Sequence, residues 1–386
     1  MFMFEKAIVG SRKYWIWILM LLAVMGAGFL AYGRQWDQGL GITGLSRDVT
    51  WGLYIAQFAF LVGIAASSII VVLPFYLYDY KAFGKIAILA EFLAISSITM
   101  GVLFVFVDMG QPMRILNVLR YPAPGSMMFW DMISILGYLI MNAFITLATL
   151  RAEQKFEAPP RWLKPVVLIS IPWAVGMRTV STLLYSGLPG RSFWLTAILA
   201  PRSLVTAFAA GSALLILICL VMRNLTRFEA GKDAIEKLAQ VVAYGLLINL
   251  FFVLMEIFTV FYSGIPGHME PFEYLFMGLN GHAAMVPWMW TAILLAAVAA
   301  LILLPPRARK KEGVLWVASI STIISLWIDK GVGLIAGGFI PSPLGAVTDY
   351  VPTIPEIAIA LGIWAFGLLL LTVFYRITLS VREANA

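Results

Sequence analysis

Of the chain's 386 residues 61% are hydrophobic and only 12% charged, so no water-soluble core could hide its apolar surface, and a soluble domain is excluded. The net charge of +7 is spread over many loops instead of forming one patch, which argues against nucleic acid as a partner. The single cysteine, Cys219, sits in an apolar run; a disulfide, a Cys-ligated iron–sulfur cluster and a Cys-rich zinc site are thereby excluded within this chain.

In chain order, Lys6, Arg12 and Lys13 precede the first apolar run, as in a signal peptide. The run is too long and lacks a small-x-small cleavage site, so it reads as a retained span. Apolar runs of twenty or more residues then recur, unlike the alternating segments of about 10 residues in a barrel. They predict an all-α integral membrane protein of ten transmembrane helices, at 14–32, 50–76, 84–107, 127–150, 163–185, 200–222, 238–262, 282–304, 313–337 and 355–378. The fifth carries Pro172 and Arg178.

Lys and Arg collect on alternate loops: Lys6 to Lys13, Lys81 and Lys85, Arg151 to Lys164, Arg223 to Lys237, Arg307 to Lys311, and Arg376 with Arg382. Only Arg34, Arg47, Arg114, Arg120, Arg191, Arg202 and Lys330 lie toward the other side. The positive-inside rule then places both termini in the cytoplasm and the protein in the cytoplasmic membrane. The outward segments 33–49, 108–126, 186–199, 263–281 and 338–354 are rich in Gly, Pro and aromatics. They suit docking by another protein, or equally a simple fold over the helix ends.

GIAASS at 63–68 in the second span is echoed by FAAGSA at 208–213 in the sixth, and small residues let helix backbones approach. The echo suggests two parallel four-helix bundles, spans two to five and six to nine, flanked by spans one and ten. The corresponding regions are 1–49, 50–199, 200–354 and 355–386, with the first bundle holding the candidate site.

The chain has two histidines, His268 and His282, both beside one outward loop, so no haem or metal site is expected. Ionisable residues inside apolar spans are functional candidates by default. By depth, Gln57, Asp108, Asp131, Arg178 and Tyr185 gather toward the outer face, beside Trp51, Trp130 and Trp194. A quinone headgroup needs such a set: hydrogen bonds to two carbonyl oxygens, a proton donor or acceptor, and an apolar slot for its tail. An Asp–Arg ion pair that merely locks the bundle is the structural alternative. In the second bundle Glu256, Asp329 and Lys330 suggest a proton or ion route or a neutralised cluster; Asp329 and Lys330, adjacent on a helix, need not pair, and Glu256 is an alternative partner for Lys330. Glu91, with Ser96, Ser97 and Thr99 beyond it, marks the start of a polar path from the cytoplasm or a buried protonated group.

The segment FVDMGQPMRILNVLRYPAPGSMMFWD at 106–131 resembles the signature of the NrfD-type polysulfide reductase family, an Asp-x-Gly-x-Pro-x-Arg after the third span, here Asp108, Gly110, Pro112 and Arg114. YSGLPGRSFWLTAILAPRSLVTAFAAGSAL at 185–214 and WIDKGVGLIAGGFIPSPLG at 327–345 are similar to its ten-helix DsrP-like subgroup, found in DsrMKJOP-type complexes and in the high-molecular-weight cytochrome complex. The resemblance implies a subunit with no metal or haem of its own that reacts with menaquinone and exchanges electrons with an extracytoplasmic ferredoxin-like iron–sulfur subunit. It further implies a multihaem cytochrome c, a haem-b membrane subunit and a cytoplasmic iron–sulfur subunit as partners, in sulfur metabolism. Asp108 carries over as a quinone-site or proton-relay residue and Tyr185 as a headgroup neighbour. Arg178 stands where histidine is expected, so its place in the catalytic set rests on charge and depth. An ion-translocating transporter using Glu91, Glu256, Asp329 and Lys330, and a purely structural anchor, are the alternatives.

Overall fold

The fold is that of a computed structural model, which describes residues 10–155, 160–188, 190–226 and 228–383, with side chains through Thr378. Lys6 and Arg227 of the basic pattern lie outside the described residues, as does the Arg382 side chain. Among the described residues ten helices are long and apolar enough to span a membrane: Arg12–Ile42, Leu53–Tyr78, Lys81–Asp108, Met127–Lys155, Leu163–Ser186, Leu199–Leu225, Lys232–Ser263, Val286–Leu303, Glu312–Gly338 and Ile354–Thr378. The chain is a multi-pass, all-helical membrane protein. Lipid offers the backbone no hydrogen-bond partner, and a helix satisfies every N–H and C=O within itself.

The second span packs on the third, the third on the fourth, the fourth on the fifth, and the fifth returns to the second. Spans six, seven, eight and nine close in the same way, nine returning to six. Spans one and ten pair with each other, and span ten lies along the third. The two groups meet where span two touches spans six and nine and where span five touches span six. Span two is accordingly buried from Tyr54 to Ala66, whereas span one shows Ile16, Leu19, Phe29 and Leu30 to the surroundings.

Small residues set the closest seams. A side-chain carbon added at Gly211 of span six would overlap Ser67 of span two, so the two echoing segments pack directly on each other. Gly28 and Gly362 do the same for spans one and ten: a carbon added at Gly28 would stand 2.8 Å from the Gly362 Cα.

Spans two and nine depart from α-helix in their interior. Span two breaks at Ser67 and Ser68 between Leu53–Ala66 and Ile69–Tyr78; Ser67 Oγ donates to Ile64 O at 2.6 Å, and Ser68 Oγ bonds Tyr138 OH at 2.7 Å. Span nine passes from α-helix at Glu312–Trp327 through a π-helical turn, Ile328–Gly333, into Leu334–Gly338. π turns re-aim side chains and concentrate at functional positions.

The sequence boundaries differ most in span one, whose helix runs on to Gln38 and the span to Ile42 instead of ending at 32, and in span seven, which begins at Lys232 instead of 238 because the polar turns KDAIEK extend the helix beyond its apolar part. The outward segment 263–281 contains a helix, Pro266–Phe276, whose first proline, Pro266, sits in the first turn, where no N–H is needed, while Pro271 lies inside it. The chain order puts Asp108, Tyr185 and their connecting loops at one end of the molecule, called here the Asp108 face. At the opposite end, Arg223 pairs with Glu312 and Lys310 with Glu236, joining spans six, seven and nine through their loops.

Candidate functional site

The Asp108 face is organised by the end of span three. Asp108 ends that helix, and its Oδ1 is buried without a protein partner. The preceding carbonyl, Val107 O, accepts from Gln35 Nε2 at 2.6 Å, and Gln35 Oε1 accepts from Tyr54 OH at 2.8 Å. Spans one, two and three are thus tied together beside the carboxylate. Glu356, fully buried at the start of span ten, holds the neighbouring loops: it accepts from Gly44 N at 2.7 Å, Tyr350 OH at 2.8 Å and Thr353 N at 2.8 Å. Tyr350 OH in turn accepts from Leu53 N at 2.7 Å, at the start of span two. Burial and then the Glu356 carboxylate push the Tyr350 phenol well above its ordinary value, so it remains a donor.

Tyr185 ends span five with its hydroxyl buried and unpartnered. Its ring lies 5.8 Å from Trp51 and 5.4 Å from Trp194, and both tryptophans pack on Phe339. Trp194 Nε1 donates to Leu334 O at 2.9 Å, anchoring this aromatic group on span nine. Arg178, Asp131 and Asp108 all stand within electrostatic range of the Tyr185 hydroxyl. The structure therefore brings Asp108, Asp131, Arg178 and Tyr185 to one end of the first group of spans.

Their pairing differs from a simple ion pair. Asp131 accepts a short hydrogen bond from Ser181 Oγ. Arg178 points between spans, Nη1 donating to Ala59 O at 2.9 Å and Nε to Ser203 O at 3.4 Å. Its guanidinium packs beside Gly63, where an added carbon would stand in ordinary contact with Arg178 Cζ at 3.5 Å. Gln57 lies at the junction of the two groups, its Oε1 accepting from Trp327 Nε1 and Trp364 Nε1, each at 3.0 Å. Trp130 is not brought to the set; it is 45% exposed and its indole donates to Pro124 O at 2.8 Å.

In the second group Glu256, offered by the sequence as an alternative partner for Lys330, is bound by Arg202 instead. Arg202, near the start of span six, takes Glu256 with Nη1, both oxygens of Asp329 with Nη2 at 2.8 and 3.0 Å, and Asn249 Oδ1 with Nε at 3.0 Å. Lys330 Nζ stands 3.5 Å from Asp329 Oδ2, so the adjacent pair does interact, on the π-helical turn. Two cations face two carboxylates, and the cluster is neutral. Buried charge persists only when paired this closely, because desolvating an unpaired ion costs several kcal/mol or more. Lys330 also lies within electrostatic range of Arg178, so the two clusters face each other across the junction.

Glu91 is 1% exposed, far from the Asp108 end, and one carboxylate oxygen accepts from Thr146 Oγ1 at 3.1 Å. Thr99 turns back to Ile95 O instead of extending a path from it. His282 bonds Asp349 through Nδ1 at 2.6 Å, and Asp349 also accepts from Tyr274 at 2.9 Å. Among the described residues no three His, Cys, Asp or Glu side chains come together as a metal site would need. Sequence reasoning misses Arg202, Asn249 and Glu356. By position Arg202 reads as an outer-edge charge, and Glu356 opens span ten, where an acid is ordinary; only Thr353, three residues before it, hints at a helix cap.

A family model described as polysulphide reductase, NrfD, matches residues 41–341, from before span two to the end of span nine, including the Asp108 segment. The chain belongs to the NrfD family. Among NrfD relatives, a putative dimethyl sulfoxide reductase membrane subunit of Halobacterium salinarum is 24% identical, the match covering 92% of this chain and 88% of that one. The Hdr-like menaquinol oxidoreductase integral membrane subunit of Archaeoglobus fulgidus is 26% identical over 71% of this chain and 67% of its own. The menaquinone reductase integral membrane subunit of Nitratidesulfovibrio vulgaris is 21% identical over 94% and 91%.

Proposed function

We propose that this NrfD protein is the quinone-reactive membrane subunit of a multisubunit oxidoreductase, with menaquinone as its substrate at the Asp108 end of the first group of spans. The observation that carries the reading is the pair of buried, unpartnered oxygens, Asp108 Oδ1 and Tyr185 OH, at the same end of that group and beside apolar rings. A buried polar atom without a partner is costly in the ground state, and a ligand that supplies the missing hydrogen bond recovers that cost. Tyr185 donates to one quinone oxygen, Asp108 exchanges the proton, and Arg178 stabilises negative charge on the reduced headgroup. Two relatives with menaquinone or menaquinol in their names support the substrate class.

Electrons pass to or from an extracytoplasmic ferredoxin-like iron–sulfur subunit docked on the Asp108 face. The loop after Asp108 supports this, since Met113, Leu116 and Tyr121 stand exposed on it. A multihaem cytochrome c, a haem-b membrane subunit and a cytoplasmic iron–sulfur subunit complete a DsrMKJOP-type complex of sulfur metabolism in the cytoplasmic membrane. Both termini then lie in the cytoplasm, and this chain carries no metal or haem of its own. The Arg202 cluster weighs against a transporter, because each of its carboxylates already has a cation.

The test is quinone turnover by the purified complex with menadiol and a soluble electron acceptor. Asp108→Asn is expected to lower kcat by about 100-fold, the usual loss when a general acid–base is removed. Tyr185→Phe is expected to cost up to about tenfold, one hydrogen bond. Wild-type turnover in both variants would overturn the assignment.

A further inference from the structure

Span two breaks at Ser67 and Ser68, and non-helical backbone at membrane depth persists where it lines a cavity. A cavity of about 10 Å³ lies against the break, walled by Ser68, Glu91, Tyr138, Asn142 and Ser170 from spans two, three, four and five. That is room for one water or one ion of similar size.

Glu91 supplies the charge. It is 1% exposed; one oxygen, Oε2, accepts from Thr146 Oγ1 at 3.1 Å, and the other, Oε1, is buried without a protein partner. Among the described residues no Lys, Arg or His pairs with Glu91, and the charged side chain within its electrostatic range is another acid, Glu153. A carboxylate at this depth needs either a proton or a counter-charge, because an isolated buried ion is strongly disfavoured.

The surrounding atoms favour the counter-charge. Ser170 Oγ donates to Val167 O at 2.8 Å, Asn142 Nδ2 donates to Tyr138 O at 2.9 Å, and of the hydroxyls of Ser68 and Tyr138, 2.7 Å apart, one donates to the other. Most donors are thus committed to protein acceptors, and the cavity is left with mainly lone pairs, from a carboxylate, three hydroxyls and the Asn142 amide oxygen. A proton on Oε1 has no protein acceptor there, whereas a hard cation takes oxygen ligands alone. One carboxylate balances one positive charge, which selects a monovalent ion. Such an ion does not need the clustered His, Cys or acid side chains of a transition-metal site.

We infer that this cavity is a Na+ site, with Glu91 and the oxygens of Ser68, Tyr138, Asn142 and Ser170 as its ligands. Transporters coordinate Na+ at interrupted helices in the same way. The ion neutralises Glu91 and fastens the broken span two to spans three, four and five; it carries no electrons. Its entry lies on the end opposite the Asp108 face, where a cavity of about 340 Å³ opens beside Asp79 and Glu153. Ala87 and Ile88 form part of that cavity's wall, and Glu91 lies one helical turn farther in. The site stands apart from the Asp108 end and does not depend on the quinone reading.

The test is binding of radioactive Na+ to the purified complex by equilibrium dialysis, with melting curves in NaCl and in KCl at equal ionic strength. A ligand that binds the folded state raises its melting temperature. Wild type is expected to melt higher in NaCl than in KCl and to bind one Na+ more than Glu91→Gln, in which the difference between the salts disappears. Ser170→Ala, which removes one ligand oxygen, is expected to weaken Na+ binding severalfold, and it decides the matter should Glu91→Gln fail to assemble. Thr99→Ala, whose hydroxyl turns back to Ile95 O on the same span as Glu91, is expected to bind Na+ as wild type does. Equal melting of wild type in the two salts, or Na+ binding in Ser170→Ala as tight as in wild type, would overturn the site.

Discussion

Arg202 is the residue on which the second group of spans depends. It is 7% exposed and is the shared partner of Glu256, Asp329 and Asn249. Removing one member of a buried ion pair costs about 3–5 kcal/mol, because the partner is left charged in a poor solvent, whereas replacing the whole set by apolar or neutral groups is often tolerated. Arg202→Met is therefore expected to lower the melting temperature of the purified complex strongly. The triple change Arg202→Met, Glu256→Gln, Asp329→Asn is expected to recover most of the loss. Equal destabilisation by both would mean that the cluster's role is not charge neutralisation. The sequence exposes the acids of this cluster because a carboxylate inside an apolar run stands out. It hides the arginine, which lies so near a helix end that it passes for a surface charge, and it hides the pairing, because a π turn breaks the 100° step between Asp329 and Lys330.

At the scale of elements, the seam between spans two and six joins the two groups. Ser67 and Gly211 meet there with no space for a larger side chain, and Ser68 one residue on reaches Tyr138. Gly211→Leu is expected to push the spans apart and lower the yield of assembled protein, whereas Gly26→Leu, which meets nothing within 4 Å, is expected to behave as wild type. Size-exclusion profiles and melting curves of the two variants check this; matching behaviour would contradict the seam. The echo of GIAASS in FAAGSA is legible from small residues alone. That the two segments touch each other is not, since a sequence gives the face of a helix but not its partner. Apolar length suffices for the ten spans, because lipid allows so few alternatives; the polar start of span seven and the helix Pro266–Phe276 lie outside that constraint and are missed.

For the whole molecule, the two ends differ in kind. The Asp108 face is closed by aromatic rings and by loops hydrogen-bonded to Glu356, while the opposite end carries the basic loops and the open cavity beside Glu153. Depth along the spans is enough to collect Asp108, Asp131, Arg178 and Tyr185 in advance, since helices that start and end at a membrane surface put equal depths side by side. It misplaces Trp130, which shares the depth of Asp131 but not its side of span four, and it sets Gln57 with the group although its bonds run to Trp327 and Trp364. The most direct measurement is photolabelling of the intact complex with an azido-menaquinone, followed by mapping of the labelled peptides. Label is expected on the segments holding Asp108, Tyr185 and Trp51, competed away by excess menaquinone and much weakened in Asp108→Asn. Label confined to the segments around Arg202 and Asp329, or unaffected by competitor, would contradict a quinone site at the Asp108 face.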